Sequence, residues 1–205
     1  MKYLALSLLL ATTPVFAAQT PAPIVVKDTS YREAGGQRVQ QVEVVVPVAP
    51  ARVWDAFMTD AGFMGWAAPV AHVTPGNDGM MEATYNPAGK IGDPENIKNQ
   101  IVAYLPNRML TIHNVHVPKG APFDPKYISQ IRTVVLLDDL GNGSTRVTIS
   151  GVGYGEGPGF DDLYSHFHAG NAEELGSLAH YLTKGPVDWK TAAAAMNASV
   201  GAKQQ

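Results

Sequence analysis

The sequence of 205 residues contains no cysteine. Disulfide bonds and cysteine nucleophiles are therefore excluded, and packing must stabilise the fold. Hydrophobic residues make up 45% of the chain, and a chain of this length can bury a sizeable core. The sequence therefore predicts a single packed domain.

Charged residues are also scarce, and no long stretch is dominated by one sign. The chain has 15 Lys and Arg against 18 Asp and Glu, which gives a formal net charge of −3. It has no basic tract suited to nucleic acid or to an anionic membrane. We therefore expect no nucleic-acid partner, and we also expect no membrane span.

The first residues have the pattern of a signal peptide. Lys2 supplies a positive charge, residues 3–11 form an apolar run, and residues 15–17 (Val-Phe-Ala) match a small-x-small cleavage site. The apolar run is too short to span a bilayer. We expect cleavage after Ala17 and a periplasmic or secreted protein. No cysteine follows this site, so a lipid anchor there is excluded.

Most of the chain that follows is predicted to form strands. The alternation of Val42, Val44 and Val46 with polar residues predicts a first strand from Arg38, followed by two short helices at residues 51–58 and 61–66. Val53, Trp54 and Phe57 are predicted to face the core. The later predicted strands are residues 70–74, 80–85, 97–105, 109–117, 128–137 and 145–152.

The stretch from Gly159 to Gly185 predicts one long amphipathic helix. It opens with two aspartates and ends at Lys184 before Gly185 and Pro186, which are helix start and stop signals. Strands gathered before a terminal helix indicate an α+β fold, in which the helix covers one face of a curved sheet. The predicted organisation is a signal peptide at 1–17, a mobile leader at 18–37, the domain at 38–186 and a tail at 187–205.

Three polar residues interrupt the apolar side of this helix: Tyr164, His168 and Asn171. Polar groups that face a dry core are unfavourable unless they are hydrogen-bonded. Each could have its own partner, but three on one side favour a cavity that holds water or a ligand. On that hypothesis Asn171→Leu completes the apolar stripe and does not lower stability.

The order of these segments and their residue patterns resemble those of the START/polyketide-cyclase (SRPBCC) superfamily. The nearest branch resembles homologues of the activator of the heat-shock-protein-ninety ATPase. The residues that carry the resemblance are 50–57 (PARVWDAF), Trp66, 106–110 (PNRML), 145–149 (TRVTI) and 175–182 (LGSLAHYL). The resemblance implies a helix-grip fold: an antiparallel sheet of about six to seven strands curved around a long C-terminal helix, with two short helices after the first strand. It departs from the branch at Gly170, which is followed by Asn171 where an aromatic residue is usual.

The resemblance implies that a small, largely apolar or amphipathic molecule binds between the sheet and the C-terminal helix. The expected ligand-binding residues are Trp66, Tyr85, His113, Tyr164, Phe167, His168 and Asn171. Two alternatives remain open: a cyclase- or isomerase-like enzyme, for which Tyr164, His168 and Glu82 are the available acid–base groups, and a protein-interaction module that uses the outer sheet face. We expect a monomer or a weak dimer.

No motif predicts a cofactor, a metal site or a catalytic nucleophile. The glycines between residues 151 and 159 do not keep the G-x-G-x-x-G register of a dinucleotide loop, and G-x-S-x-G is absent. The six histidines show no pair on one face with metal-ligand spacing. His113 and His168 across the cavity are the only plausible start of a metal site, so we predict none.

Overall fold

Nine strands form one antiparallel sheet in the computed structural model, which describes residues 24–192. The strands are β1 (Lys27–Asp28), β2 (Tyr31–Arg32), β3 (Arg38–Val46), β4 (Val70–Thr74), β5 (Met80–Thr84), β6 (Ile97–Leu105), β7 (Met109–His116), β8 (Arg132–Asp139) and β9 (Thr145–Tyr154). Their order is β1-β3-β9-β8-β7-β6-β5-β4, with β2 also paired to β3. The sheet is curved and does not close. The predicted α+β fold is confirmed.

The inner face of the sheet follows the alternation in the sequence. On β3, Val42, Val44 and Val46 are fully buried, whereas Val45 between them is 44% exposed. Successive side chains of a strand point to opposite faces, so this pattern sets which side of β3 faces the core. The same core contains Ile101 of β6 and other buried residues from the neighbouring strands.

The sheet has more strands than the six to seven predicted. The additional pair, β1 and β2, lies within the segment predicted as a leader and pairs antiparallel with β3. Each has only two residues, and both residues of each strand are exposed. Such short, exposed strands produce no alternation of hydrophobicity, which explains why the sequence did not reveal them.

Two short helices follow β3, as predicted: α1 (Pro50–Met58) and α2 (Asp60–Met64). On α1, Val53 and Phe57 are buried, but Trp54 is only partly buried and contacts Tyr104 with ring centroids 6.0 Å apart. The prediction that Trp54 faces the core is therefore only partly right, because Trp54 packs against the core without being buried. Trp54 lies next to the buried stripe of α1 rather than at its centre.

A further short helix, α3 (Pro125–Ile128), replaces the start of the strand predicted at residues 128–137. Asp124 caps it, because its side chain accepts a hydrogen bond from the Lys126 backbone N–H. Pro125 occupies the first turn, where its missing N–H is not needed. Strand β8 begins only at Arg132.

The long C-terminal helix α4 (Pro158–Lys184) packs against β3 and β9. Its fully buried residues are Leu163, Leu175 and Leu178. They bury the stripe predicted from the sequence against the sheet. None of the helices in residues 24–192 is long and apolar enough to cross a bilayer. The predicted signal peptide lies outside the described residues, and residues 189–192 of the tail are helical.

Candidate functional site

A cavity of about 290 Å³ lies between the inner face of the sheet and one flank of α4. Its wall is mostly apolar and comes from α1, α2, strands β5 to β9, α3 and α4. The segment between β7 and β8 also contributes, through Val117, Phe123, Ile128 and Ile131. The cavity therefore forms only where several separate elements meet.

Aromatic residues from α1, α2 and the turn after α2 form one part of the cavity wall. Trp66 packs edge-to-face against Phe57 and Phe63, with ring centroids 5.0 and 5.5 Å apart. Its indole N–H donates a hydrogen bond of 2.9 Å to the Ala56 carbonyl. Trp66 is buried and its polar atom is satisfied, so it offers a fixed apolar surface to a ligand.

Five residues of α4 line the cavity: His166, Phe167, Gly170, Asn171 and Glu174. His166, Gly170 and Glu174 recur every four residues and therefore follow one flank of the helix. Phe123 covers this flank from the β7–β8 segment, with its ring 5.2 Å from His166 and 5.6 Å from Phe167. The cavity thus lies beside the buried stripe of α4, not directly beneath it.

A carboxyl and a phenol meet at the mouth of the cavity. The Tyr85 hydroxyl, just beyond β5, donates a hydrogen bond of 3.3 Å to Glu174 Oε1. Tyr85 is 51% exposed and Glu174 is partly exposed, which locates this pair at the opening. Burial raises the pKa of the Glu174 carboxyl, and the charge of Glu174 in turn raises the pKa of Tyr85.

Two asparagines add a polar patch on the sheet side of the wall. Asn99 of β6 and Asn114 of β7 are paired across the two strands, and Asn114 Nδ2 donates a hydrogen bond of 3.0 Å to Asn99 Oδ1. Each amide retains hydrogen-bonding capacity beyond this single bond. A polar group of a ligand could therefore be oriented in the otherwise apolar interior.

Asn171 faces the cavity wall but is also part of a buried hydrogen-bond network around Gln40. Gln40 is 0% exposed, and its Oε1 accepts hydrogen bonds from Asn171 Nδ2 at 3.0 Å and from Tyr154 Oη at 3.2 Å. Its Nε2 donates to the Phe167 carbonyl at 2.8 Å. A Cβ at Gly151 would lie 2.9 Å from Tyr154 Oη and 3.1 Å from Gln40 Oε1, so a larger residue there would displace part of this network. The network joins α4 to β3 and β9.

The structure brings four of the seven predicted binding residues to the cavity wall: Trp66, Tyr85, Phe167 and Asn171. Their role in binding stays a prediction. The other three, His113, Tyr164 and His168, are not on this wall. Sheet and helix geometry separates them from it.

His113 points to the other face of β7 from Ile112 and Asn114, and its Nε2 lies 2.9 Å from the Ser129 carbonyl oxygen. Tyr164 and His168 lie on the opposite flank of α4 from the cavity. His168 Nε2 is 2.9 Å from Asp28 Oδ2 of β1. His113 and His168 therefore have separate polar partners and do not face each other across the cavity.

Tyr164 packs against the Tyr154 ring at 5.0 Å and beneath the Arg38 guanidinium at 5.2 Å.

Glu82, the third predicted acid–base candidate, accepts hydrogen bonds from Gly92 N at 2.6 Å and Asn96 Nδ2 at 2.7 Å. It thereby holds the β5–β6 loop and is not part of the cavity wall.

Several polar residues in the cavity wall or bonded to it were not predicted from the sequence, although a signal was present for some. Gln40 has the same strand parity as Val42 and Val44, which places it on the inner face. Asn99 and Asn114 each lie two residues from an inward-facing isoleucine, Ile97 and Ile112, and therefore share its face of the strand. Glu174 had no comparable signal, because its role depends on the Tyr85 hydroxyl across the cavity mouth.

Comparisons with known proteins show likeness in structure at low sequence identity. No protein-family model matches the chain, and no curated protein matches its sequence. The Aha1 dimer structure from Colwellia psychrerythraea matches with a TM-score of 0.54 and 17% identity, covering 72% of this chain and 97% of that one.

Two further solved structures show the same likeness. CalU16 from Micromonospora echinospora matches with a TM-score of 0.54 and 15% identity, over 78% of this chain and 87% of that one. DynU16, a protein in the dynemicin biosynthetic locus, matches with a TM-score of 0.52 and 19% identity, over 72% of this chain and 48% of that one. The chain therefore shares its fold with an Aha1 protein, CalU16 and DynU16, which agrees with the helix-grip fold that the resemblance in its sequence implied.

Proposed function

We propose that this protein binds one small, largely apolar molecule in the cavity between the sheet and α4. The observation that carries this proposal is the cavity of about 290 Å³ with an apolar wall and a few polar groups. That volume is close to the lower end of ligand pockets, roughly 300–1,000 Å³, and the mixture of many apolar and few polar groups is typical of them.

The arrangement of the wall supports a ligand with a polar and an apolar end. Phe57, Trp66 and Leu110 are buried at the inner end of the cavity, whereas Tyr85 and Glu174 lie at its mouth. Transfer of apolar surface from water to this inner end would drive binding. The polar groups would then fix the orientation of the ligand.

Two glycines of α4 allow a matched test of the cavity. A Cβ at either Gly170 or Gly176 would meet nothing within 4 Å, but only Gly170 lines the cavity. Gly170→Leu should therefore fill the cavity, whereas Gly176→Leu should leave it open. Both variants gain helix propensity, so neither is expected to unfold the helix.

The measurement is the fluorescence of prodan, a neutral apolar fluorophore, titrated with the wild-type protein and both variants. We expect wild type and Gly176→Leu to enhance and blue-shift the emission, and Gly170→Leu to lose at least about tenfold in affinity because the cavity volume is taken. Equal binding by all three proteins, or no binding by wild type, would overturn the proposal.

We further propose that the protein is exported. The support is the sequence pattern of Lys2, the apolar residues 3–11 and the cleavage site at residues 15–17. Expression in a Gram-negative host should yield periplasmic protein whose first residue is Ala18. A protein that retains Lys2 and stays in the cytoplasmic fraction would contradict export without affecting the cavity proposal.

A second candidate, acid–base catalysis in the same cavity, is favoured by one observation. Burial raises the pKa of Glu174, as is common for general acids, and the Tyr85 hydroxyl contacts it at 3.3 Å. The test is mass spectrometry of a small-molecule extract incubated with wild type and with Glu174→Gln. A product formed only by wild type would support catalysis, whereas unchanged masses with both proteins would favour binding alone.

The protein-interaction alternative has weaker support. Leu105, Met109 and Leu136 lie side by side on the outer face of the sheet, but the same row continues with Thr148 and Glu43. The Colwellia structure is described as a dimer, and we propose a monomer or weak dimer for this chain. Sedimentation velocity at several protein concentrations would distinguish a monomer from a weak dimer.

A further inference from the structure

In the described part of the chain the cavity wall carries one carboxyl, and its one basic side chain is the exposed His166. Among the wall residues of the part that the structure describes, the titratable side chains are Tyr85, Tyr154, His166 and Glu174, and none is lysine or arginine. Tyr154 is buried with its hydroxyl bonded to Gln40. Glu174 is therefore the one carboxyl that a ligand in this cavity would meet.

Glu174 has hydrogen-bonding capacity to spare. An ionised carboxylate offers about four acceptor positions on two oxygens, and Tyr85 supplies one donor, to Oε1. In residues 24–192 no lysine, arginine or histidine forms an ion pair with this carboxyl. Its helix neighbour Glu173 is exposed and carries the same charge. The local field therefore favours a cation over an anion.

The free energy of binding should therefore differ between ligands with different head groups. An ammonium beside Glu174 would supply the missing opposite charge and donate hydrogen bonds to the carboxylate. A ligand carboxylate would place a second negative charge in a partly buried site, which is unfavourable. An alcohol would donate a hydrogen bond to the carboxylate but would bring no opposite charge.

We infer that the cavity selects amphipathic molecules whose polar end is a basic amine, held at the mouth by Glu174 and Tyr85, and that it rejects the corresponding carboxylates. The apolar part of such a molecule would extend toward Trp66 and Leu110, which line the inner end. This inference rests on the proposed binding function, because it assigns the chemistry of the ligand that the cavity takes.

The test uses three probes with the same ten-carbon chain and different head groups: decylamine, decanol and decanoic acid. Each probe is titrated into wild-type protein with bound prodan, at neutral pH and below the critical micelle concentration of the probe. The loss of prodan fluorescence gives its inhibition constant. We expect decylamine to bind at least about tenfold more tightly than decanol, because only the ammonium brings a positive charge to the carboxylate, and decanoic acid to bind most weakly.

Two neutral variants identify the charge responsible. In Glu174→Gln the preference for decylamine over decanol should fall to within about threefold, because the neutral amide lacks the charge. Glu173→Gln removes the same charge from the exposed neighbour and should keep the preference. If Glu174→Gln fails to fold, the ranking of the three probes on wild-type protein still decides the inference.

The outcomes separate this inference from the proposed function. Prodan binding to wild type with any other ranking, including no displacement by decylamine, would overturn the amine selectivity and leave the binding function in place. A preference for decylamine that persists in Glu174→Gln would also overturn it. Absence of prodan binding to the wild-type protein would overturn both the binding function and the amine selectivity.

Discussion

Asn171 of α4 donates a hydrogen bond of 3.0 Å from its side-chain amide to the buried Gln40 of β3. The same Gln40 oxygen accepts the Tyr154 hydroxyl, and its amide nitrogen donates to the Phe167 carbonyl. One glutamine of β3 thus satisfies polar groups on two other elements, α4 and β9. A fully satisfied buried network of this kind fixes the position of the helix over the sheet.

This network changes the expected effect of Asn171→Leu. Gln40→Leu should lower the free energy of unfolding by about 2–4 kcal/mol, because it leaves the Asn171 amide and the Tyr154 hydroxyl without their partner. Asn171→Leu should cost only about 1 kcal/mol, because Gln40 Oε1 keeps its bond from Tyr154. Urea denaturation of both variants and the double variant would measure the coupling. A stabilised Asn171→Leu would contradict the network and restore the expectation from sequence.

Glu174 should make stability depend on pH in the opposite direction from a paired carboxylate. Burial raises its pKa above the ordinary value of 4.5, so the folded state holds its proton more tightly than the unfolded state. Stability therefore falls as the pH rises from that value through the folded-state pKa. Glu174→Gln should raise the melting temperature at pH 8 and change it little at pH 4.

The control for this effect is Glu173→Gln, which removes an exposed carboxylate one residue away. Its melting temperature should stay close to that of wild type at pH 8, with a small increase at most from the weaker repulsion of Glu174. Thermal denaturation followed by circular dichroism at both pH values gives the comparison. An equal gain from both variants would show that the general negative charge, and not the burial of Glu174, is responsible.

The two tryptophans near the start of the domain should differ in their contribution to stability. Trp66 is buried and hydrogen-bonded to the Ala56 carbonyl, so Trp66→Ala should cost about 3–5 kcal/mol. Trp54 is only partly buried, so Trp54→Ala should cost roughly 1–2 kcal/mol. Chemical denaturation checks the order. A larger loss at Trp54 would mean that α1 packs through a different face.

The contact between His168 and Asp28 should stabilise the pairing of β1 with β3. Hydrogen bonds from Ser30, and then from His168, lower the pKa of Asp28 to about 2. Because the folded-state pKa is depressed, this stabilisation is present above the ordinary value of 3.8 and is lost as the pH falls toward about 2. Asp28 is exposed, so the effect is small and local.

Hydrogen exchange of the Thr29 amide, which donates to the Gln41 carbonyl at 2.9 Å, reports this pairing. Asp28→Asn should speed its exchange about two- to fivefold at pH 6, and the ratio to wild type should approach one near pH 2. Asp162→Asn, which removes an exposed charge on α4, serves as the control. Unchanged exchange in Asp28→Asn would show that backbone pairing alone holds β1.

Gly170→Ala should stabilise the protein while it narrows the cavity. Gly170 lies inside α4, and an added Cβ would meet no atom within 4 Å. Alanine should therefore raise the free energy of unfolding by about 0.5–1 kcal/mol. The equivalent change at Gly176 should give a similar gain and leave prodan affinity unchanged. A destabilised Gly170→Ala would mean that the cavity is occupied by atoms at this position.

The sequence by itself determined the order and type of the elements. The alternation in β3, β4 and β6 and the apolar stripe of α4 each depend on neighbours within one segment, so period and stop signals were sufficient to predict them. The bounds of β4 (Val70–Thr74) and β6 (Ile97–Leu105) agree with the strands predicted at those positions. From that order the α+β class followed, and the family resemblance implied the helix-grip arrangement.

Only the tertiary structure decided which flank of α4 faces the cavity. Residues beside the buried stripe are equivalent in a helical pattern, and their surroundings depend on what the sheet and loops place against each flank. Tyr164 and His168 lie toward Arg38 and β1, whereas Glu174 lies toward Tyr85. A contact such as that between Tyr85 and Glu174 joins residues 89 positions apart in the chain, and periodicity within one segment carries no information about it.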